Sequence, residues 1–156
     1  MIKRRAHKRI ATIAGALSAT TLLTVTQAAA VSLEIERATS TSGPTSPGSP
    51  WSCVRSGDNH TGTMVAQACW RTEGDWFLIH DSAKDGYSAV VDWESRDPQN
   101  RVHRAGFIFN AEGYASTVYK NKNYPEQNDI RFRACLGNWS TKKIKAGTCS
   151  GWITRG

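Results

Sequence analysis

Two pairs of cysteines constrain the fold most, because each pair flanks a segment with the pattern of a β-hairpin. The clearest segment is 132–152, in which Cys135 and Cys149 sit in two strand-like arms on either side of a lysine-rich loop. A disulfide here closes a loop of about 15 residues, which the loop-closure model credits with about 3 kcal/mol. The same spacing recurs at Cys53 and Cys69. Four cysteines allow three connectivities, of which we favour the sequential one.

Apolar and polar residues alternate along the first arm of this segment, so its two faces differ in polarity. Neighbouring strand side chains point to opposite faces, so the apolar residues at even positions from Ile130 to Leu136 form an inner face. The outer face then holds Arg131, Arg133 and Cys135. Trp152 has the parity opposite to that of Cys149, which predicts that it turns inward. The disulfide is thus expected to be an outer clasp over an apolar core.

Residues 1–30 have the layout of a secretory signal peptide. Five basic residues and no acid precede a stretch of small and apolar residues that ends in three alanines. The apolar stretch is too short and too rich in Ser, Thr and Gly to suit a membrane span. The sequence therefore predicts cleavage after Ala30, secretion, and no stable membrane insertion afterwards.

Residues 31–50 are predicted to form a disordered linker, and residues 51–156 the secreted domain. Positions 39–50 contain only Ser, Thr, Gly and Pro, a composition that cannot bury apolar surface. The residues that follow are enough for one hydrophobic core.

The domain lacks a sustained helical period and shows seven to eight short apolar runs separated by turn clusters. Asp85-Gly86 and the cluster 110–113 are predicted to close hairpins. This pattern predicts an all-β fold, a small antiparallel β-sandwich or barrel stapled by two disulfides.

Charge argues against nucleic-acid binding. The formal net charge of +7 falls to +2 once the five basic residues of the predicted leader are removed. An asymmetry survives, because basic residues outnumber acidic ones only in the carboxy-terminal half. The sequence thus predicts a local basic surface and makes nucleic acid an unlikely partner.

No motif in the chain dictates a reaction, so we predict no catalytic residues, no metal and no cofactor. The four cysteines lack the closely spaced pair of a zinc site. One enzymatic alternative stays open: a small hydrolase that uses His80 with the nearby Asp75 and Asp81. Asp92 and Glu94 share a strand parity, as a pair of catalytic carboxylates would, although paired surface acids are the commoner meaning.

The lysine-rich loop is the best candidate for a binding surface. Trp139 stands there beside Lys142, Lys143 and Lys145. Lysines with an exposed aromatic ring suit an anionic cell-wall or extracellular polymer, and a lysine-rich tip also serves solubility and edge protection. Trp51 is a second surface candidate. A secreted inhibitor or protein-interaction module that presents a rigid loop is a further alternative.

The general plan resembles that of small secreted proteins common in actinobacteria. The resemblance is carried by the basic leader, the Ser/Thr/Pro linker and the ending Phe132-Arg-Ala-Cys135 with Thr148-Cys-Ser-Gly-Trp152. It implies export, an antiparallel fold and a terminal disulfide hairpin, and it supplies no catalytic residues.

Overall fold

The computed structural model describes residues 31–45, 48–57 and 62–155, and in these ranges the chain forms ten strands and no helix. In chain order the strands are β1 Leu33–Ala38, β2 Ser52–Gly57, β3 Met64–Arg71, β4 Trp76–Asp81, β5 Ser88–Arg96, β6 Val102–Asn110, β7 Thr117–Asn121, β8 Asp129–Asn138, β9 Lys143–Ile144 and β10 Ile153–Arg155. The predicted all-β fold with two disulfides is confirmed.

The strands form two facing sheets that curl into a half-barrel. The first sheet has the order β1-β6-β5-β8-β10, with β9 added to β8, and the second has the order β2-β3-β4-β7. Neighbouring strands are antiparallel except β1 and β6, which run parallel. The sandwich is therefore antiparallel with one parallel edge.

The main core lies between the sheets and is rich in aromatic rings. Trp70, Phe77, Trp93 and Phe132 come from four strands and are almost completely buried. The Phe77 ring centre lies 4.7 Å from that of Trp70 and 5.9 Å from that of Phe132. Because each such side chain buries about 150–250 Å², these contacts dominate the packing energy of a domain of this size.

Both predicted disulfides form, and the pairing is sequential. Cys53–Cys69 joins directly opposite positions of β2 and β3. Cys135–Cys149 joins β8 to the segment before β10. Cys135 points to the outer side of the first sheet, as predicted, yet it is fully buried in a small second cluster with Phe109. The second disulfide is thus covered rather than an exposed clasp.

The prediction that Trp152 faces the core is wrong. Its ring lies on the outer side of the first sheet, where the guanidinium carbons of Arg131 and Arg133 are 4.6 and 4.4 Å from the ring centre. The physical reason is that the chain from Lys145 to Trp152 does not form a strand. Parity counted from Cys149 therefore does not carry over to position 152.

The two predicted hairpins at 85–86 and 110–113 are instead crossings from one sheet to the other, because β4 and β7 belong to the second sheet and β5 and β6 to the first. Buried polar side chains anchor both crossings. The Asn110 side chain donates to the carbonyls of Ile79 and Ser116 at 3.2 and 3.1 Å. Asp81 accepts from the Ala83 amide at 3.1 Å. Asn110 and one carboxylate oxygen of Asp81 satisfy the loop backbone, whereas Oδ2 of Asp81 is buried without a hydrogen-bond partner among the described residues.

The prediction of a disordered linker over 31–50 is wrong for Leu33–Ala38, which form β1. Residues 39–45 and 48–50 lie outside the strands, although Ser40 makes an isolated bridge to Tyr119. The predicted signal peptide, residues 1–30, lies outside the described residues.

Ion pairs close the open side of the sandwich, where the edge strands β1 and β7 lie opposite each other. We call this group of ion pairs the ionic seam. Lys122 is only 5% exposed and lies between the carboxylates of Glu34, at 2.8 Å, and Glu36. Arg104 contacts both oxygens of Glu34, at 2.7 and 3.0 Å, and Lys120 contacts Glu36 at 2.9 Å. The seam consists of Glu34, Glu36, Arg104, Lys120 and Lys122.

Candidate functional site

The predicted binding loop is the tip of a short hairpin formed by β8 and β9. Gly137 pairs with Ile144 and Asn138 with Lys143, so the turn is 139–142. The Asn138 side chain accepts from the Ser140 amide at 2.9 Å, which fixes the turn. Beyond β9 the Lys145 amide donates to the Leu136 carbonyl at 2.8 Å. The tip is thus held in one conformation by backbone bonds as well as by the disulfide.

Trp139 covers the second cluster rather than projecting into solvent. Its ring centre lies 5.5 Å from that of Phe109. The Lys142 ammonium lies over the ring, 2.6 Å from its centre. Attraction between a cation and the ring face holds this lysine in place. Trp139 therefore positions the charge at the tip and packs the hairpin onto the sheet.

The lysines of the tip have no carboxylate partner among the described residues. Nine of the described cationic side chains lie within 4.0 Å of an acidic group. The described cations without an ion pair to the described acids are Arg55, Lys84, Lys142, Lys143, Lys145 and Arg155. Half of these unpaired charges thus fall within four consecutive positions at the hairpin tip.

Two of the tip lysines have neighbours that influence their ammonium groups. Partial desolvation, together with the nearby charge of Arg37, lowers the pKa of Lys142. Lys145 lies over the ring of Tyr87, with its ammonium 4.0 Å from the ring centre. A bound anion would offset the repulsion between Lys142 and Arg37, which is the chemistry that this surface offers.

The residues of the hydrolase alternative are not brought together. Asp75 precedes β4 and His80 lies near its other end, so about 16 Å of extended chain separates them. The Nδ1 of His80 is 2.8 Å from the hydroxyl of Thr117. Asp81 is adjacent in the chain but is fully buried, and burial raises its pKa. Burial likewise raises the pKa of Asp75, which accepts from the Tyr124 amide.

Asp92 and Glu94 do share the outer face of β5, as their parity predicts, and both are paired with arginines. Arg133 contacts Asp92 at 2.7 Å, while Arg96 and Arg131 contact Glu94 at 2.7 and 3.8 Å. Burial raises the pKa of Asp92, although Arg133 opposes the shift. These ion pairs account for the two carboxylates structurally.

Trp51, the second surface candidate, packs beside another aromatic ring. The half-buried Trp51 ring lies 6.2 Å from that of Tyr119. In the described ranges, no group of three or more His, Cys, Asp or Glu is arranged to hold a metal ion. That part of the chain also contains no apolar helix of membrane-spanning length.

Sequence reasoning did not find two features of this end of the molecule. Tyr114 is 60% exposed and lines a groove with Tyr87 beside the hairpin. The sequence pattern around Tyr114 is that of an ordinary strand. The groove forms only because two loops cross between the sheets at this point, which the sequence pattern does not indicate. The second feature is the pairing state of the lysines, which depends on contacts between distant strands.

Comparison of the chain with protein-family models, with curated proteins and with solved structures finds no match. The resemblance to small secreted actinobacterial proteins stays a prediction.

Proposed function

We propose that this protein is a secreted, non-enzymatic β-sandwich protein that binds an anionic extracellular polymer through the tip of the β8–β9 hairpin. The observation that carries the proposal is the cluster of Lys142, Lys143 and Lys145, three cations at the end of a braced turn and just after it that have no ion pair to the described acids. Elsewhere the described part of the chain pairs most of its charges with each other.

The brace supports binding because it lowers the ordering cost. A flexible loop loses conformational freedom when a ligand fixes it, whereas a turn already held by a disulfide and by Asn138 loses little. Two disulfides are also typical of proteins that fold in oxidising compartments outside the cytosol. The polymer is therefore expected to be an extracellular one.

The test is retention of residues 31–156 on a heparin-type resin in a salt gradient. K143Q/K145Q removes two hairpin charges, and R101Q/R155Q removes two charges at the opposite end of the sheet. Lys142 is left unchanged here because it packs on Trp139 and has a positive φ of 58°. We expect the hairpin variant to elute at clearly lower salt than the control, since screening weakens exposed charge attraction. Equal elution of the two variants would contradict the proposal.

A further inference from the structure

A groove lies beside the hairpin, between the two loops that cross from sheet to sheet. Its volume is about 240 Å³. It is lined by Ala83, Lys84, Gly86, Tyr87, Ser88, Ala111, Gly113 and Tyr114. Pockets for drug-sized ligands begin at about 300 Å³, so this groove suits a single ring rather than a larger compact ligand.

Tyr114 is held out into solvent by its backbone. At 60% exposure it is the most exposed of the large apolar or aromatic side chains in the described part of the chain. It stands between Gly113, with φ of 95°, and Ala115, with φ of 60°. A left-handed alanine is unfavourable and persists only where the surroundings enforce it. The chain thus accepts local strain at the point where an aromatic ring is displayed.

The loop that carries Tyr114 is anchored to the buried strand ends. The Ala115 amide donates to the Asp81 carbonyl at 2.9 Å. The side chain of Asn110 accepts from the Glu112 amide and from the Ser116 hydroxyl, both at 3.1 Å. The ring is therefore presented by a rigid support, which is the arrangement expected of a binding group.

The groove and the hairpin form one continuous surface. Ser88, which lines the groove, pairs with Gly137 at the base of the hairpin. Lys145 lies over Tyr87 and so stands at the groove margin. Lys84, another cation without an ion pair to the described acids, lines the groove itself. An aromatic platform and unpaired lysines thus occur together at this end of the molecule.

We propose that this groove binds a sugar ring of an acidic polysaccharide, with Tyr114 as the stacking surface and Lys84 and Lys145 facing the acid groups of the chain. The inference rests on the proposed function of the hairpin as an anion-binding surface and specifies the polymer class. The apolar face of a sugar ring stacks on an aromatic ring while its hydroxyl groups stay hydrated, and tyrosine combines an apolar body with a polar end.

A nucleic-acid strand could also stack on an aromatic ring, but the charge of the protein disfavours it. The chain after the predicted leader has a net charge of only +2. Nucleic-acid-binding domains carry strongly basic surfaces, because phosphate contacts supply most of the affinity. The two disulfides also favour an extracellular setting.

The experiment measures the affinity of residues 31–156 for polygalacturonate, for polyphosphate and for oligo-dT at one fixed salt concentration. Four variants are compared with the unchanged chain: Tyr114→Ala, Tyr114→Phe, K143Q/K145Q and Leu33→Ala. Leu33 is the matched control because it is nearly as exposed, at 56%, and lies on β1. Circular dichroism verifies that each variant is folded. We expect the Tyr114 and Leu33 variants to fold, because both side chains are exposed.

We expect Tyr114→Ala to lose about tenfold in affinity for polygalacturonate, the order of effect for truncating one aromatic anchor. Tyr114→Phe and Leu33→Ala should retain affinity, and polyphosphate binding should not respond to Tyr114→Ala. K143Q/K145Q should weaken the binding of both polymers.

Equal binding of polygalacturonate by the unchanged chain and by Tyr114→Ala would overturn the groove proposal while leaving the hairpin proposal intact. Loss in Tyr114→Ala with no effect of K143Q/K145Q would keep Tyr114 as the stacking surface, but it would overturn both the role of Lys145 in the groove and the hairpin proposal. Tyr114-dependent binding that is tighter for oligo-dT than for polygalacturonate would overturn the polysaccharide assignment. If the unchanged chain binds neither polygalacturonate nor polyphosphate, both proposals are overturned.

Discussion

The ionic seam and the hairpin tip are both rich in basic residues, but they use the charge in opposite ways. In the seam, Lys122 is 5% exposed and lies within ion-pair distance of two glutamates. At the tip, Lys143 and Lys145 are exposed and have no carboxylate partner among the described residues. Cations of the seam hold strands together, whereas those of the tip are available to a partner.

The number of lysines in a region therefore does not show what their charge does. A lysine paired with a carboxylate stabilises the fold, whereas an unpaired exposed lysine can contact a partner. A buried ion pair that loses one member leaves an uncompensated charge out of water, which is costly. An exposed cation loses little when it is neutralised, because water already screens it. Substitutions in the two regions should therefore differ sharply in their effect on stability.

The largest effect is expected from the double variant E34Q/E36Q. It removes both carboxylate partners of Lys122 together with the Glu34 partner of Arg104 and the Glu36 partner of Lys120. It should lower the free energy of unfolding by about 3 kcal/mol, the lower end of the range for breaking a buried pair. The lower end applies because the two glutamates are 32% and 26% exposed. Denaturant unfolding measures this quantity.

The matched control for that variant is E112Q/E126Q, which removes the same charge from exposed positions: Glu112 pairs with Arg37, both 39% exposed, and Glu126 is exposed. Its cost should stay below about 1 kcal/mol. Similar losses in the two double variants would show that the seam is no more important than a surface pair.

A smaller effect is expected from Gly106→Ala, which acts on the docking of β1. A Cβ at this position would collide with the backbone carbonyl oxygen of Glu34, on the paired strand. Backbone cannot yield as a flexible side chain can, so β1 should shift at a cost of about 1–3 kcal/mol. Hydrogen exchange should accelerate in β1 while β8 stays protected. Gly151→Ala is the control, because nothing lies within 4 Å of the position that its new Cβ would take. If hydrogen exchange in β1 is the same in Gly106→Ala as in the unchanged chain, the close approach of the two strands is refuted.

The pH dependence of the seam should be seen in the stability difference between the unchanged chain and E34Q. Hydrogen bonding to Arg104, aided by Lys122, lowers the pKa of Glu34 to about 2. A carboxyl with a lowered folded-state pKa stabilises the protein above its unfolded pKa, near 4.5, and loses that contribution as pH falls toward 2. The difference should therefore be full at pH 6 and shrink between pH 4.5 and 2. A difference that is constant over this window would rule out Glu34 as an ion-paired group.

The smallest effect on stability is expected from the double variant K143Q/K145Q. Neutralising the unpaired tip should change the free energy of unfolding by less than about 0.5 kcal/mol, the usual range for surface positions. Lys142 is left unchanged, because its ammonium packs over the Trp139 ring. A loss comparable to that of E34Q/E36Q would mean that the tip lysines are structural.

Local patterns predicted the parts of the fold that depend on local chemistry. The even positions from Ile130 to Leu136 are all buried, and both disulfides follow the sequential pairing. These predictions hold because alternation is fixed by strand geometry alone.

Predictions failed where a distant partner decides the outcome. The segment Leu33–Ala38 is only six residues long and carries three charges. Nothing local indicates that its glutamates pair with Arg104 on the neighbouring strand β6 and with Lys122 just beyond β7. Turn chemistry at 85–86 and 110–113 is compatible with a hairpin and with a sheet crossing alike. The choice between them depends on which sheet the next strand joins.

By itself, the sequence determined the alternation of faces along the strands and the place of the basic turn, and it favoured the sequential cysteine pairing, because alternation, spacing and composition act over a few residues. Only the tertiary structure decided which lysines are paired, that β1 completes the first sheet, and that Tyr114 stands beside the hairpin. Those outcomes arise from contacts between residues far apart in the chain. Their energies depend on burial and on neighbouring charge, which no single segment contains.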